Sequence, residues 1–243
     1  MERQLKNITT DFIRQLVSSR GMLKRQPQAF SWEDAYEVAT KIGQFIIPGF
    51  VIDNANRFAY ENISKWIVSD PTFMCNTLEG DGTGSVPGNL QKGLYLQGPT
   101  GTGKSICLSI FRDVARALRV FVTDGAATFP LAWMTRTADS ICNDYEKDGD
   151  LVTYKREPVL CINDLGAEPA ETLHMGNRRN CIRLLIETRG DMFDKMTLFS
   201  SNLPMGQTGE FYGDRVQSRL VQMCNVITMK GKDRRYFIEN TKI

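Results

Sequence analysis

Apolar residues in the first part of the chain recur at helical spacing. Leu5, Ile8, Phe12 and Leu16 stand three or four positions apart and predict a helix with one apolar face. The stretch from Gly21 to Pro27 breaks it. Ser31 is placed to cap a second helix whose inward positions are Trp32, Ala35, Val38, Ala39 and Ile42. Glu33 and Asp34 fall in its first turn, where the helix dipole favours negative charge. Pro48-Gly49 ends that helix. Asp53 can cap a third, with Phe58, Ile63, Trp66 and Ile67 facing inward and Asp70-Pro71 as its stop. The stripes of the second and third helices read as core packing. The first helix, set apart by a basic linker, is the better candidate for a partner contact.

Gly80, Gly82, Gly84, Pro87 and Gly88 predict a flexible connection over residues 76–92. From residue 93 the period changes, and strands alternate with helices. Gly93–Gln97, Arg119–Thr123, Val159–Ile162, Met196–Ser200 and Val226–Met229 read as strands. Ile106–Leu118, Pro130–Lys147, Asn177–Arg189 and Asp214–Met223 read as helices. Alternation of this kind predicts an α/β domain, a parallel sheet flanked by helices that binds its ligand at the carboxyl ends of the strands. The expected organisation is a helical region over 1–75, a Gly-rich linker or loop over 76–92 and the α/β domain over 93–243.

Composition changes this picture little. The 243 residues, 42% of them hydrophobic, suffice for one large domain with an extension. A net charge of +2 implies no particular partner, but the ends are locally basic: Arg3, Lys6, Arg14, Arg20, Lys24 and Arg25 at one end, Lys230, Lys232, Arg234, Arg235 and Lys242 at the other. Such ends touch nucleic acid or an acidic partner, or are simply solvated faces. The six cysteines form no C-x-x-C pair and His174 is the one histidine, which argues against a zinc site. Cys107 and Cys161 fall in the predicted core as small hydrophobes. The absence of a leader-like apolar segment or an apolar run of membrane-spanning length predicts a reduced, cytoplasmic protein without membrane contact.

The strongest chemical signal is Gly98-Pro99-Thr100-Gly101-Thr102-Gly103-Lys104-Ser105, which fits Gly, any four, Gly-Lys-Ser/Thr. Between a strand and a helix this pattern wraps a phosphate chain in backbone N–H groups, with the helix dipole aiding. Lys104 would reach the β- and γ-phosphates, the Ser105 hydroxyl would hold Mg²⁺, and Ile106 follows in the helix. ATP and Mg²⁺ are therefore the expected ligands. Asp164 follows the strand Val159–Ile162. An acid there can hold Mg²⁺ or orient the attacking water. Asn202 ends the next strand, where an amide could position a water near the γ-phosphate. Arg215, Arg219, Arg234 and Arg235 could stabilise phosphoryl charge, in cis or from a neighbouring subunit.

Together these stretches resemble the AAA+ family, specifically its DnaC/DnaI/IstB branch of helicase loaders and transposition helpers. The resemblance covers about residues 90–240. It rests on Gly98–Ser105 as Walker A, Cys161-Ile162-Asn163-Asp164-Leu165-Gly166-Ala167-Glu168 as the Walker B region and Phe199–Leu203 as sensor 1. Tyr212–Leu220 resembles the arginine-finger helix, and Gly231-Lys232-Asp233-Arg234-Arg235 resembles sensor 2. It implies that Asn202 is sensor 1, that Arg219 reaches the ATP of the next copy of the chain, and that Arg235, before Arg234, is sensor 2. Residues 1–75 carry no such match, although in loaders a helical extension there often makes the helicase contact. The sequence departs from the family at the metal-side position of Walker B, where Asn163 replaces the usual Asp. Asn keeps the oxygen and loses the charge, so ATP and Mg²⁺ should bind with slow hydrolysis.

The resemblance implies an ATP-dependent replicative helicase loader that self-associates through Arg219, contacts a helicase through residues 1–30 and binds single-stranded DNA. Phe129 and Trp133, with Arg136, could stack and pair with such a strand, although core packing is the preferred fate of Trp133. The alternatives are an IstB-like transposition helper on duplex DNA and a nucleotide-gated adaptor with little hydrolysis. A metabolic kinase is the weakest reading, because no acceptor site is visible.

Overall fold

The computed structural model describes residues 9, 23–78 and 84–235. The predicted first helix, Leu5 to Leu16, lies outside the described residues. The first element among the described residues is strand β1 (Lys24–Arg25), followed by helices α1 (Trp32–Ile46) and α2 (Arg57–Val68). Ser31 caps α1, as its sequence position predicts, and Asp34 returns the bond to complete a capping box. Asp53 does not cap α2. Asn56 is the residue at that end, and the Asp53 carboxylate instead accepts the Ala55 N–H and two bonds from Arg234.

Residues 76–92 are not simply a loop. Strands β2 (Met74–Asn76) and β3 (Ser85–Pro87) pair antiparallel across residues 79–83. The glycines at 80, 82 and 84 dominate the local composition and conceal the strands at either side.

The centre is a five-stranded sheet. Its members are β4 (Gly93–Gln97), β7 (Met134–Thr137), β8 (Val159–Leu165), β11 (Met196–Ser201) and β12 (Cys224–Thr228). Their order is β12-β4-β11-β8-β7, all parallel. Alternate residues feed the two faces. Leu94, Leu96, Val159, Cys161, Leu198 and Ile227 join the core under α1, α2 and α3 (Lys104–Ala117). Tyr95, Leu160, Ile162, Phe199 and Val226 join the core under α4 (Ala138–Asp148), α6 (Cys181–Gly190) and α8 (Asp214–Met223). Burial on both faces explains why these strands read as nearly continuous apolar runs.

The strand predicted at 119–123 is real only as β5 (Phe121–Thr123), and it lies outside the central sheet. It pairs antiparallel with β6 (Thr128–Pro130) and with β1. The second central strand is β7, within the segment predicted as one helix over 130–147. Met134–Thr137 pairs with Leu160–Asn163, and the Thr137 hydroxyl then caps α4 by accepting the Ser140 N–H at 3.0 Å. A short α5 (Val152–Arg156) leads into β8. The helix predicted from Asn177 starts later, because β9 (Thr172–His174) and β10 (Asn177–Arg179) form a hairpin and Asn180 caps α6. A 3₁₀ turn (Met205–Gln207) and α7 (Thr208–Tyr212) precede α8.

Two buried guanidinium groups fasten loops to this frame. Arg25 donates to the carbonyls of Trp66 and Leu90, both at 2.8 Å, and stacks on the Trp66 ring. Its burial pushes its pKa down to about 9. Arg189 donates to Thr197 Oγ1 and to the carbonyls of Tyr154, Glu157 and Met196, tying α5, α6 and β11 together. Trp133 is buried in the core, the fate preferred for it. No helix among the described residues is long and apolar enough to cross a membrane.

Candidate nucleotide-binding site

The loop of residues 98–103 leaves the carboxyl end of β4 and runs into α3, which begins at Lys104. Glycine is required here by space as well as by φ. A Cβ on Gly98 would lie 2.1 Å from the Met229 carbonyl oxygen, and one on Gly101 (φ +76°) would lie 1.9 Å from Asp233 Oδ1. The closeness of residues 229–233 brings the second glycine-basic segment onto the first, and the Arg234 N–H donates to the Gly101 carbonyl at 3.0 Å.

Lys104 is buried, which lowers its pKa, and nearby Asp164 opposes the shift. Its Nζ donates to the carbonyls of Gly98 (2.7 Å) and Pro99 (2.8 Å) and to Asn202 Oδ1 (2.8 Å). Asn202 Nδ2 in turn donates to Thr100 Oγ1 at 3.2 Å. The amide at the end of β11 therefore meets the lysine of the loop directly.

A second chain of hydrogen bonds joins α3 to β8 through β11. Ser200 Oγ, fully buried, donates to Asn163 Oδ1 at 2.9 Å and accepts the Asp164 N–H at 3.2 Å. The Cys161 thiol is directed at the same Asn163 oxygen. With the Ser200 proton committed, Ser105, 3.2 Å away, is the donor in that pair, and its lone pairs are left for a cation. The Asn163 Nδ2 then presents donors where an aspartate would present a second acceptor. Asp164 is exposed, lines the cavity and holds a left-handed φ of +56°, a conformation Asp tolerates better than most residues.

Thr100, Lys104, Ser105, Asp164 and Asn202 line one cavity of about 970 Å³, together with Ile106, Lys232, Arg234 and Arg235. Its opposite wall is apolar and comes from the turn between α1 and α2 and from α2 itself: Ile47, Pro48, Phe50, Val51 and Tyr60. In the sequence this turn reads only as the stop of α1 at Pro48-Gly49. The available signal was a run of apolar residues, Phe50-Val51-Ile52, in a connection that solvent should otherwise favour as polar. A polar phosphate end beside an apolar wall fits a nucleotide, and the glycine cradle and the free lone pairs of Ser105 fit its phosphates and Mg²⁺.

The four arginines separate. Arg234 is bidentate to Asp53 at 2.8 and 2.9 Å. Burial alone would raise the Asp53 carboxyl, but this pairing and the Ala55 and Asn56 N–H groups hold it below its ordinary value. Arg235 is exposed at the cavity. Arg215 and Arg219 do not line it. They lie along α8 against α6, Arg215 beside Glu187 at 3.7 Å and Arg219 bonded to Asp191 and to Gln222. Glu168 is buried and accepts hydrogen bonds from the Gly166 N–H at 2.8 Å and from the Tyr212 hydroxyl, so it braces the turn after β8 against α7.

Sheet order, loop and paired amide define a P-loop AAA+ fold. No protein-family model matches the chain, and no curated protein matches its sequence. Among solved structures it is similar to a candidate primosome component from Streptococcus pyogenes serotype M3. The two are 19% identical with a TM-score of 0.52, over 91% of this chain and 100% of that one. It is similar to DnaI at 16% identity and a TM-score of 0.50, over 84% of this chain and 97% of that one. At this identity the likeness establishes the fold, which is DnaI-like.

Proposed function

We propose that the chain is an ATP-binding AAA+ protein that hydrolyses ATP slowly and serves DNA replication in the cytoplasm as a helicase loader. The observation that carries the nucleotide reading is the bond from Lys104 Nζ to Asn202 Oδ1, which joins the loop lysine to the strand-end amide across one cavity. The loader reading is supported by the likeness in fold to the primosome component and DnaI.

In this reading backbone N–H groups of residues 100–105 and Lys104 hold the phosphates, and the base lies on the wall formed by Ile47, Phe50 and Tyr60. Ser105 and Asp164, with Asn163 behind them, would hold Mg²⁺, which supplies positive charge to the phosphate oxygens. Asp164 orients the attacking water and accepts its proton, while Asn202 fixes that water's position. Arg235 binds the terminal phosphate from the same chain, and Arg219 reaches it from a second copy. Self-association then makes hydrolysis depend on protein concentration. ATP sets the affinity for single-stranded DNA and for a helicase contacted through residues 1–30.

A second reading, a nucleotide-gated adaptor, draws on Asn163. Its amide offers hydrogen-bond donors in place of the carboxylate oxygen that would accept from metal-bound water.

The test is ATP hydrolysis by the purified chain, alone and with single- or double-stranded DNA, with Lys104→Ala as control. Turnover raised by single strands and lost in the control supports the loader. Stimulation by duplex alone points to a transposition helper. Tight ATP binding without turnover selects the adaptor.

A further inference from the structure

All six cysteines are buried and reduced, but they are not equivalent. Cys224 Sγ donates to the Thr197 carbonyl, Cys161 Sγ is directed at Asn163 Oδ1, and Cys107 meets Tyr60. Burial pushes Cys107 and Cys161 up to about 12, so both are inert thiols. Cys142 and Cys181 are different. Their sulfurs lie 2.9 Å apart, closer than two sulfurs in van der Waals contact, and Thr172 Oγ1 is 3.5 Å from Cys181 Sγ. No step of the proposed nucleotide chemistry uses either of them.

We propose that Cys142 and Cys181 form an oxidisable dithiol that closes to an intramolecular disulfide between α4 and the start of α6. The two residues are 39 positions apart in sequence and belong to different elements, so the contact is made by the fold. Cys181 is the first residue of α6, where unpaired N–H groups and the helix dipole favour a thiolate. The hydrogen bond from Cys142 and a weaker one from Thr172 pull Cys181 down to about 7 against the opposing effect of burial. The same hydrogen bond, with burial, holds Cys142 in its protonated form. The pair therefore has a nucleophile and a resolving thiol already in contact.

With hydrogen peroxide as oxidant, the Cys181 thiolate attacks one oxygen. An S–O bond forms, the O–O bond breaks, and the departing hydroxide takes a proton to leave as water. Cys142 then attacks the Cys181 sulfur as its own proton moves to the departing oxygen, giving the S–S bond and a second water. The two sulfurs lose two electrons, and the peroxide oxygens gain them.

The position gives the bond a mechanical consequence. Between the two cysteines the chain runs through the β9–β10 hairpin, which leans on the end of α4. His174 Nδ1 lies 2.9 Å from the Glu146 carbonyl oxygen, and the His174 ring packs on Tyr145. A disulfide there fixes the exit of the hairpin, and with it the first turn of α6, to α4.

The test uses the full chain under native conditions. The protein is treated with hydrogen peroxide or diamide, quenched, unfolded, alkylated and digested with trypsin. Cleavage after Arg136, Lys147, Arg179 and Arg183 releases peptides 137–147 and 180–183, which carry these two cysteines. The expected result is a loss of two hydrogens per chain and one cross-linked species joining these two peptides. Its rate should rise with pH as the lowered Cys181 thiol ionises, and the other four thiols should be fully alkylated. Cys142→Ala and Cys181→Ala should each lose the cross-link, and Cys107→Ala should keep it. Retention of six alkylatable thiols would overturn the proposal. So would a cross-link that forms only in denaturant, or oxidation spread over all six cysteines. The peptide map of the unsubstituted chain decides the matter even if a variant fails to fold.

Discussion

In the cavity above β4, Lys104 is buried and gives its three protons to oxygens without formal charge, two carbonyls and an amide. On the α6–α8 edge, Arg219 is bonded to Asp191 and Arg215 lies beside Glu187. Neutral oxygens release an ammonium readily to a phosphate, because the charge they held was never cancelled. An arginine on a carboxylate must exchange one anion for another, and the net gain is smaller. In the proposed reading, binding in the cavity is therefore built into a single chain, and use of Arg219 on phosphate calls for a second copy and the opening of an ion pair.

The strongest way to break this contrast is to empty the cavity of its cation. Lys104→Ala should lower ATP hydrolysis by roughly 100-fold or more, and nucleotide binding followed by fluorescence should fall with it. Next is Arg189, which holds α6 in place without touching the cavity. Arg189→Met leaves buried carbonyls unpaired and should destabilise the fold by about 3 kcal/mol in urea unfolding, with unchanged nucleotide affinity in the folded protein. Asn163→Asp restores an acceptor on the metal side and should raise turnover on the order of tenfold; an unchanged or lower rate would count against the assignment.

Smaller effects sharpen the edge. Asp191→Asn frees Arg219 from a partly exposed ion pair. It should reduce the protein concentration at half-maximal hydrolysis by roughly 2- to 5-fold, while Arg219→Ala removes the concentration dependence. A rise in that concentration for Asp191→Asn would mean that Asp191 aims the arginine instead of retaining it. The smallest effect is on pH. The Asp53 carboxyl is held below its ordinary value, so its contribution is complete above the unfolded value of about 3.9 and is lost as pH falls through the lower folded one. Asp53→Asn should lower stability slightly at neutral pH, where that contribution is complete, and flatten the acid limb, so that the two proteins converge as pH falls through the lower value.

Much of this was legible beforehand. The cap at Ser31, the buried strand before Gly98 and the bounds of α8 follow from local periodicity and cap residues. Misreadings occurred where a local signal had two outcomes. Only Phe121–Thr123 of the β-branched run at 119–123 is a strand, and no local feature says which sheet it joins. Met134–Thr137 is too short to announce itself beside the helical pattern that follows. The glycines at 80–84 masked the paired residues flanking them.

By itself the sequence determined the loop proposed to hold phosphate, because the loop glycines, Lys104 and Ser105 fall within eight residues and their chemistry is local. It also determined the alternation of strands and helices, through the spacing of apolar residues. Only the tertiary structure decided which distant groups meet: Asn202 with Lys104, Asp53 with Arg234 so that Arg235 is left at the cavity, Phe50 and Tyr60 as a wall, and Cys142 with Cys181. Those contacts join segments far apart in the chain. They are set by the order of the strands in the sheet and by burial of its two faces, which no local pattern encodes.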